Sequence, residues 1–418
     1  MTLSSLIDLL RRTAWLDRDR IVAWASALLA VELAFAVFIA LWQHGAFFVI
    51  ENPTSSDFVS FFAAGKLALS GTPALAYDQL AHYAVQQQTS AHGAPYQFFF
   101  YPPVFLFLCA VLAVLPYYLA YAAFQIASLG FFLWVMRAIL RESGRAWMVP
   151  VLAFPAVFWT IGLGQNAFLT AALFGAFTLM LDRRPVLAGI VLGLLCYKPH
   201  FGMLVPVALL AGGYWRCFVG AAVCVKALVG LSVALFGWET WQAYFVAFSG
   251  SGQVYQSGRI DLAGMVTVFG AMRLNGLSAE LAYAMQGASA LAMAALVALI
   301  WRRCPGQSAR FASLLAATLL AVPLALLYDQ MLLLVAGAWL IRDGRARGFL
   351  GWEKMALLAG YPLVLLLWPL GTGWHLPLGP LLSLAVLALG VRRLWPLLVG
   401  RSATTTAAGA GLAVGATR

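Results

Sequence analysis

Apolar and polar residues along this chain fall into long blocks. Apolar runs occupy Ile21–Trp42, Tyr117–Leu140, Trp147–Gly164, Ala167–Leu181, Val186–Tyr197, Phe201–Tyr214, Cys217–Phe236, Ala279–Trp301, Phe311–Leu327, Met331–Ile341, Trp352–Leu370 and Leu376–Val391. A helix rises 1.5 Å per residue, so about 20 apolar residues cross the roughly 30 Å hydrocarbon of a bilayer. The pattern predicts an all-α polytopic membrane protein with about 11–13 transmembrane helices, all in one domain over residues 1–400. The tail Arg401–Arg418 is Ala-, Gly- and Thr-rich and is expected to be disordered.

The first long polar interruption is Gln43–Pro103, and the second is Trp238–Ser278. A loop as long as the first is generally functional or contains elements of its own. Ser56–Ser70 and Tyr77–Thr89 have amphipathic spacing and predict two helices lying in the membrane interface. Ser55 or Ser56 is placed to cap the first, and Gly71-Thr72-Pro73 to stop it. The segment Ile21–Trp42 contains Glu32 and lacks a small-x-small cleavage pattern, so it reads as a retained span.

Charge then gives the pattern a direction. The turns Arg141/Arg145, Arg183/Arg184, Arg216, Arg302/Arg303/Arg310, Arg342/Arg345/Arg347/Lys354 and Arg392/Arg393 are basic. The intervening turns are nearly free of positive charge, and the basic set is expected in the cytoplasm. One stretch resists this scheme. From Tyr101 to Arg141 an odd number of crossings is needed, yet two apolar runs are present, and Val104–Leu115 is too short to span. Composition agrees with a membrane chain, with 63% hydrophobic and 10% charged residues. The net charge of +11 follows from the basic turns and implies no nucleic acid. The five scattered cysteines have no metal-ligand spacing.

Several later runs reach only part-way across a bilayer. Their polar turns, Gln165-Asn166, Lys198-Pro199-His200 and Tyr328-Asp329-Gln330, are therefore expected below the outer surface, around a cavity. The outer cations Lys66, Lys198, Arg259 and Arg273 have no topological explanation. Lys198 needs an anion, either a carboxylate such as Asp329 or Asp261 or a ligand phosphate. Asp57 begins a helix, where it serves either as a cap or as a general base. Tyr101-Pro102-Pro103 sets a rigid path into the next run or points a hydroxyl into the cavity. Gln165 and Asn166 suit sugar hydroxyls, or cap helix ends. Glu32 and Lys226 lie mid-span, either paired or snorkelling. Trp238–Ser278, with Arg259 and Asp261, forms an interfacial belt or a lid. No phosphate-binding glycine loop is present, which argues against a cytosolic nucleotide sugar. Nothing calls for a cofactor or a metal, although Asp57 with Asp78 or Asp261 would supply carboxylates for one.

Ser56-Asp57-Phe58, Phe62-Ala63-Ala64-Gly65 and Gly71 with Tyr77-Asp78, followed by Tyr101-Pro102-Pro103, Gly164-Gln165-Asn166, and Ala188-Gly189-Ile190 leading to Tyr197-Lys198-Pro199, form an ordered set. This set resembles glycosyltransferase family 87, one of the GT-C membrane glycosyltransferases, over roughly Ile21 to Tyr328. The resemblance implies a GT-C-like fold and transfer of a sugar, often mannose, from a polyprenyl-phosphate carrier to a lipid or glycan acceptor. It further implies transfer with inversion, on the outer face of the cytoplasmic membrane. It makes Asp57 the base and matches Lys198, which is assigned to the donor phosphate; Arg259 and His200 are further phosphate candidates, His200 by position and chemistry alone. Tyr101, Gln165, Asn166, Tyr328, Asp329, Gln330 and Lys66 are candidates for sugar or acceptor binding, the 328–330 turn by position and chemistry alone. The competing readings are a flippase for lipid-linked sugars and a non-catalytic partner in glycan assembly.

Overall fold

The computed structural model describes residues 3–13, 15–42, 56–89, 94–141, 144–256 and 261–399. Gln43–Ser55, Arg259 and the tail Arg401–Arg418 lie outside the described residues. The described chain is helical, and its one β feature is an isolated antiparallel bridge between Met265 and Leu326.

A short amphipathic helix, α1 (Leu3–Arg12), precedes the first long one, α2 (Arg18–Trp42). The polar interruption folds into α3 (Phe58–Leu69) and α4 (Gln79–Thr89), and α5 (Leu106–Ala113) follows. Next come the long α6 (Tyr117–Ile139) and a broken pass made of α7 (Met148–Leu152) and α8 (Pro155–Leu163). The two halves of that pass meet at 61°. Pro155 is the cause: it holds the preceding Phe154 extended and supplies no N–H to continue the first half. Then follow α9 (Ala167–Met180), α10 (Pro185–Gly193), α11 (Val205–Ala211) and α12 (Trp215–Phe236). The last third comprises α13 (Trp238–Gln256), α14 (Val268–Leu274), α15 (Ala279–Arg303), α16 (Ala309–Ala321), α17 (Met331–Arg347), α18 (Glu353–Trp374) and α19 (Leu378–Leu398).

Six of these helices, α2, α6, α12, α15, α18 and α19, are long and apolar enough to span a bilayer alone, seven passes if the bent pair is counted. Shorter apolar helices accompany them. One end of the molecule gathers Asp57, Tyr101, Gln165, Lys198 and Asp329. The other gathers arginines and their carboxylate partners, including Arg310–Asp182 and Arg393–Asp343.

This arrangement accounts for the stretch after Tyr101. Tyr101 reaches Gln165, and Ser56 reaches Tyr117 at 3.2 Å, so both ends of the segment Pro103–Pro116 lie at the Asp57 end. The short run leaves and returns on one side, and α6 alone crosses to Arg137 and Arg141. What it does instead of crossing is pack on α3. A Cβ at Gly65 would stand 2.1 Å from the Cys109 carbonyl oxygen, so the two backbones touch.

The setting of α3 differs from the expected interfacial one. Nine of its twelve residues, Phe58 to Gly65 and Leu67, are buried, and it is an internal helix of the protein. α4 is the more exposed of the pair, burying His82 and Gln86. Trp238–Ser278 is mostly helical, and α13 lays Tyr244 against Tyr77 of the first polar segment, with ring centroids 5.7 Å apart. The mid-span Glu32 and Lys226 form no ion pair with each other, and one Glu32 oxygen is buried without a partner. All five cysteines are free.

Candidate active site

The site is built where the ends of α3, α8 and α10 and the turn before α17 converge. Asp57 occupies the N-cap position of α3, yet its carboxylate makes no capping bond. It leans instead toward the α8–α9 turn, where Gln165 Nε2 donates to Asp57 Oδ2 at 2.6 Å. The orientation of that amide is set by its other end. Gln165 Oε1 accepts from the Asn166 backbone N–H at 3.3 Å and from the Tyr101 hydroxyl at 3.4 Å, which leaves the NH2 group to face Asp57. The Gln165 carbonyl in turn accepts from Gln125 Nε2 at 3.2 Å.

Gly164 makes this turn possible. It ends α8 in the left-handed region at φ 68°, where its N–H bonds back to Ile161. A Cβ there would stand 2.7 Å from Phe58 Cβ and 2.9 Å from the Tyr121 ring, so the glycine also lets α3 press against the turn. Both demands fall on one residue, and together they bring Gln165 within hydrogen-bond reach of Asp57. The Tyr101-Pro102-Pro103 run sets a rigid path into the next helix. Pro102 is held extended at φ −57° and ψ 156° and directs the chain into the next helix. The Tyr101 ring stacks on Phe105 at 4.5 Å while its hydroxyl points to Gln165.

Lys198 follows the short turn that ends the α10 pass. α10 lies directly on α12 because small residues line the contact: a Cβ at Gly189 would be 2.2 Å from the Cys217 carbonyl oxygen, and one at Gly193 2.6 Å from Cys224 Cβ. The Lys198 side chain is buried, 5% exposed, and its Nζ lies 3.0 Å from Asp329 Oδ1. The rings of Phe201 and Tyr328 face the ammonium at 5.3 and 5.5 Å. The other Asp329 oxygen accepts from the Leu326 backbone N–H at 3.0 Å and closes its own turn. The carboxylate open to Lys198 in the sequence is therefore Asp329. Asp261 is engaged elsewhere, capping the turn at Leu262 and bonded to Trp368.

Electrostatics couples the two acidic groups through Lys198. Burial pushes the Asp57 carboxyl above its ordinary value, while the Gln165 hydrogen bond and the positive field of Lys198 pull it back. Asn166, fully buried, lies against the Tyr101 hydroxyl, and Gln330, equally buried, has no hydrogen-bond partner at either polar side-chain atom. Gln125 Oε1 is in the same state. Asn166 caps nothing, although it stands at the start of α9. Such unsatisfied amides are costly in a packed interior.

The remaining candidates divide. His200 is part of the same turn as Lys198 and packs on Phe201, its ring 4.7 Å from that ring. Lys66 is exposed near the far end of α3, over the Phe62 ring, about 13 Å along the helix from Asp57, and the structure does not bring it into the cluster. Asp78 is likewise engaged elsewhere, where it caps α4 through Ala81. Among the described residues no three His, Cys, Asp or Glu side chains gather as metal ligands. Two contributors escaped the sequence reading, Gln125 and Tyr117. Gln125 carried a signal, being a lone amide in the middle of an apolar helix.

The family model for glycosyltransferase family 87 matches residues 99–327, more than half of the chain. The chain belongs to glycosyltransferase family 87. The matched region holds Tyr101, Gln165, Asn166 and Lys198; Asp57 lies before it and Asp329 just beyond. No curated protein and no solved structure matches the chain. Membership of family 87 makes this a membrane glycosyltransferase with a donor and an acceptor substrate.

Proposed function

We propose that this family 87 protein moves a sugar, mannose in the first instance, from a polyprenyl-phosphate carrier to a lipid or glycan acceptor, with inversion. The site faces the outer side of the cytoplasmic membrane, because the arginine-rich end is the one that the charge rule retains inside. The observation that carries the reading is the state of Asp57. Its carboxylate is released from capping, oriented by Gln165 and within the field of Lys198.

In this mechanism Asp57 takes the proton of an acceptor hydroxyl as that oxygen attacks the anomeric carbon. The bond from that carbon to the carrier phosphate breaks, and the leaving phosphate carries away the electron pair. Lys198 stabilises the charge that develops there, with Asp329 holding the ammonium in place beforehand. Attack and departure on opposite faces give inversion in one displacement. The Gln330 amide and the Gln125 Oε1 are open to sugar hydroxyls, with Asn166 and Tyr101 beside them.

The test is transfer from polyprenyl-phosphate mannose by purified protein in lipid. Asp57→Asn is expected to abolish transfer with the protein still folded; substantial activity in that variant removes Asp57 as the base. The double variant Lys198→Met with Asp329→Asn separates the two roles of Lys198. It leaves no uncompensated buried charge, so folding is retained, and donor use should still be lost. Recovery of normal donor use would show that the pair is structural alone.

A further inference from the structure

Remote from Asp57, at the arginine end, the helices enclose a cavity of about 270 Å³. Its walls come from α2, α6, α7, α17, α18 and α19, and its mouth carries Arg18, Arg345 and Lys354, with Asp17 the one carboxylate among the described lining residues. Asp17 is engaged locally, accepting from the Arg20 backbone N–H at 2.9 Å. The Lys354 ammonium is held over the Phe349 ring at 5.0 Å and the Arg345 guanidinium over Trp147 at 5.1 Å, so aromatic faces fix both cations at the mouth.

Below the mouth the lining is hydrocarbon, apart from the Tyr361 hydroxyl, which already donates to the Pro150 carbonyl at 2.8 Å. Water entering there would find almost no partners. Lys354 at the mouth and Val364 at the floor are ten residues apart on one helix, so the cavity runs about 15 Å. That is about half of the roughly 30 Å hydrocarbon thickness, the depth of one leaflet. Topology accounts for cations at this end, but not for a dry, leaflet-deep cavity opening between them.

We infer that this cavity is a binding site for one acyl chain of an anionic phospholipid, with the lipid phosphate at Arg18 and Lys354. The depth suits a phospholipid chain of a single leaflet. The inference needs no assumption about the transfer reaction, because its readout is lipid binding.

The experiment reconstitutes the full chain in nanodiscs of phosphatidylglycerol and phosphatidylethanolamine, transfers it to detergent and counts retained lipid by native mass spectrometry. Retention of phosphatidylglycerol over phosphatidylethanolamine is expected. The double variant Arg18→Gln with Lys354→Gln should lower phosphatidylglycerol affinity by about thirtyfold, each cation contributing about fivefold. Ala385→Trp, which fills the cavity from α19, should abolish retention of both lipids; if it does not fold, the charge variant decides alone. Equal retention of the two lipids by the wild type, or undiminished retention in the charge variant, overturns the inference. Stoichiometric displacement of phosphatidylglycerol by added polyprenyl phosphate overturns it too, since the occupant would then be the carrier.

Discussion

At the scale of single residues, Asp57, Gln165 and Gly164 act as one device. The carboxylate begins a helix without capping it, because the amide of Gln165 holds it from across the cluster. Burial and that hydrogen bond act on Asp57 in opposite directions. Removing the donor leaves burial less opposed, so the carboxyl of Gln165→Ala should hold its proton to a higher pH. The proposed base must be ionised to act, and the acid limb of the kcat/KM profile is therefore expected to move upward. A hydrogen bond to a charged group contributes about 1.5 kcal/mol, which corresponds to a loss of about tenfold at a pH on that limb. A limb that stays in place while the plateau falls would make Gln165 a packing residue. The sequence named both residues, but not their contact, since 108 positions separate them. It also left open whether Lys198 meets a carboxylate or a phosphate. The structure supplies the carboxylate, Asp329.

At the scale of elements, small residues decide which helices touch. The Ala188-Gly189-Ile190 segment, met first as part of a motif, is a contact surface: Gly189 and Gly193 let α10 rest on the backbone of α12. Because Lys198 ends this pass, the contact sets the height of the ammonium. Gly189→Ala places a methyl 2.2 Å from the Cys217 carbonyl, and backbone cannot yield as a side-chain tip can. A loss of about 1–3 kcal/mol is expected, read as a lower Tm, together with a raised KM for the donor. An unchanged KM at lowered Tm would confine the role of Gly189 to stability. The same reasoning explains why α3 was misplaced by its pattern. Its residues alternate enough to suggest an interfacial helix, but Gly65 gives it a close partner in α5, and Phe98 and His82 bond to it at Ser60. Hydrophobic spacing reports that a face is buried; it does not say whether lipid or protein buries it.

At the scale of the whole molecule, the charges read as topological signals turn out also to be structural. Arg393 is 4% exposed and bonds Asp343 and Glu353, both buried, and Arg310 is fully buried among Tyr214, Trp301 and Phe311 while pairing with Asp182. Removing one partner of such a pair strands the other in a dry interior. Arg393→Met is therefore expected to cost about 3–5 kcal/mol, seen in thermal unfolding of the purified protein. A Tm within a degree or two of the wild type would show that this end is solvated. What the sequence by itself determined is the class of solvent around the chain, the alternation of its two ends and the family to which it belongs. All three follow from local quantities: runs of apolar residues, the spacing of basic turns, and short motifs in a fixed order. Which end of Gln165 faces Asp57, which carboxylate neutralises Lys198, and that Val104–Leu115 returns to its own side were decided by tertiary structure alone. These depend on close approach between residues far apart in the chain, made possible by glycines whose missing side chains carry no hydrophobic signal.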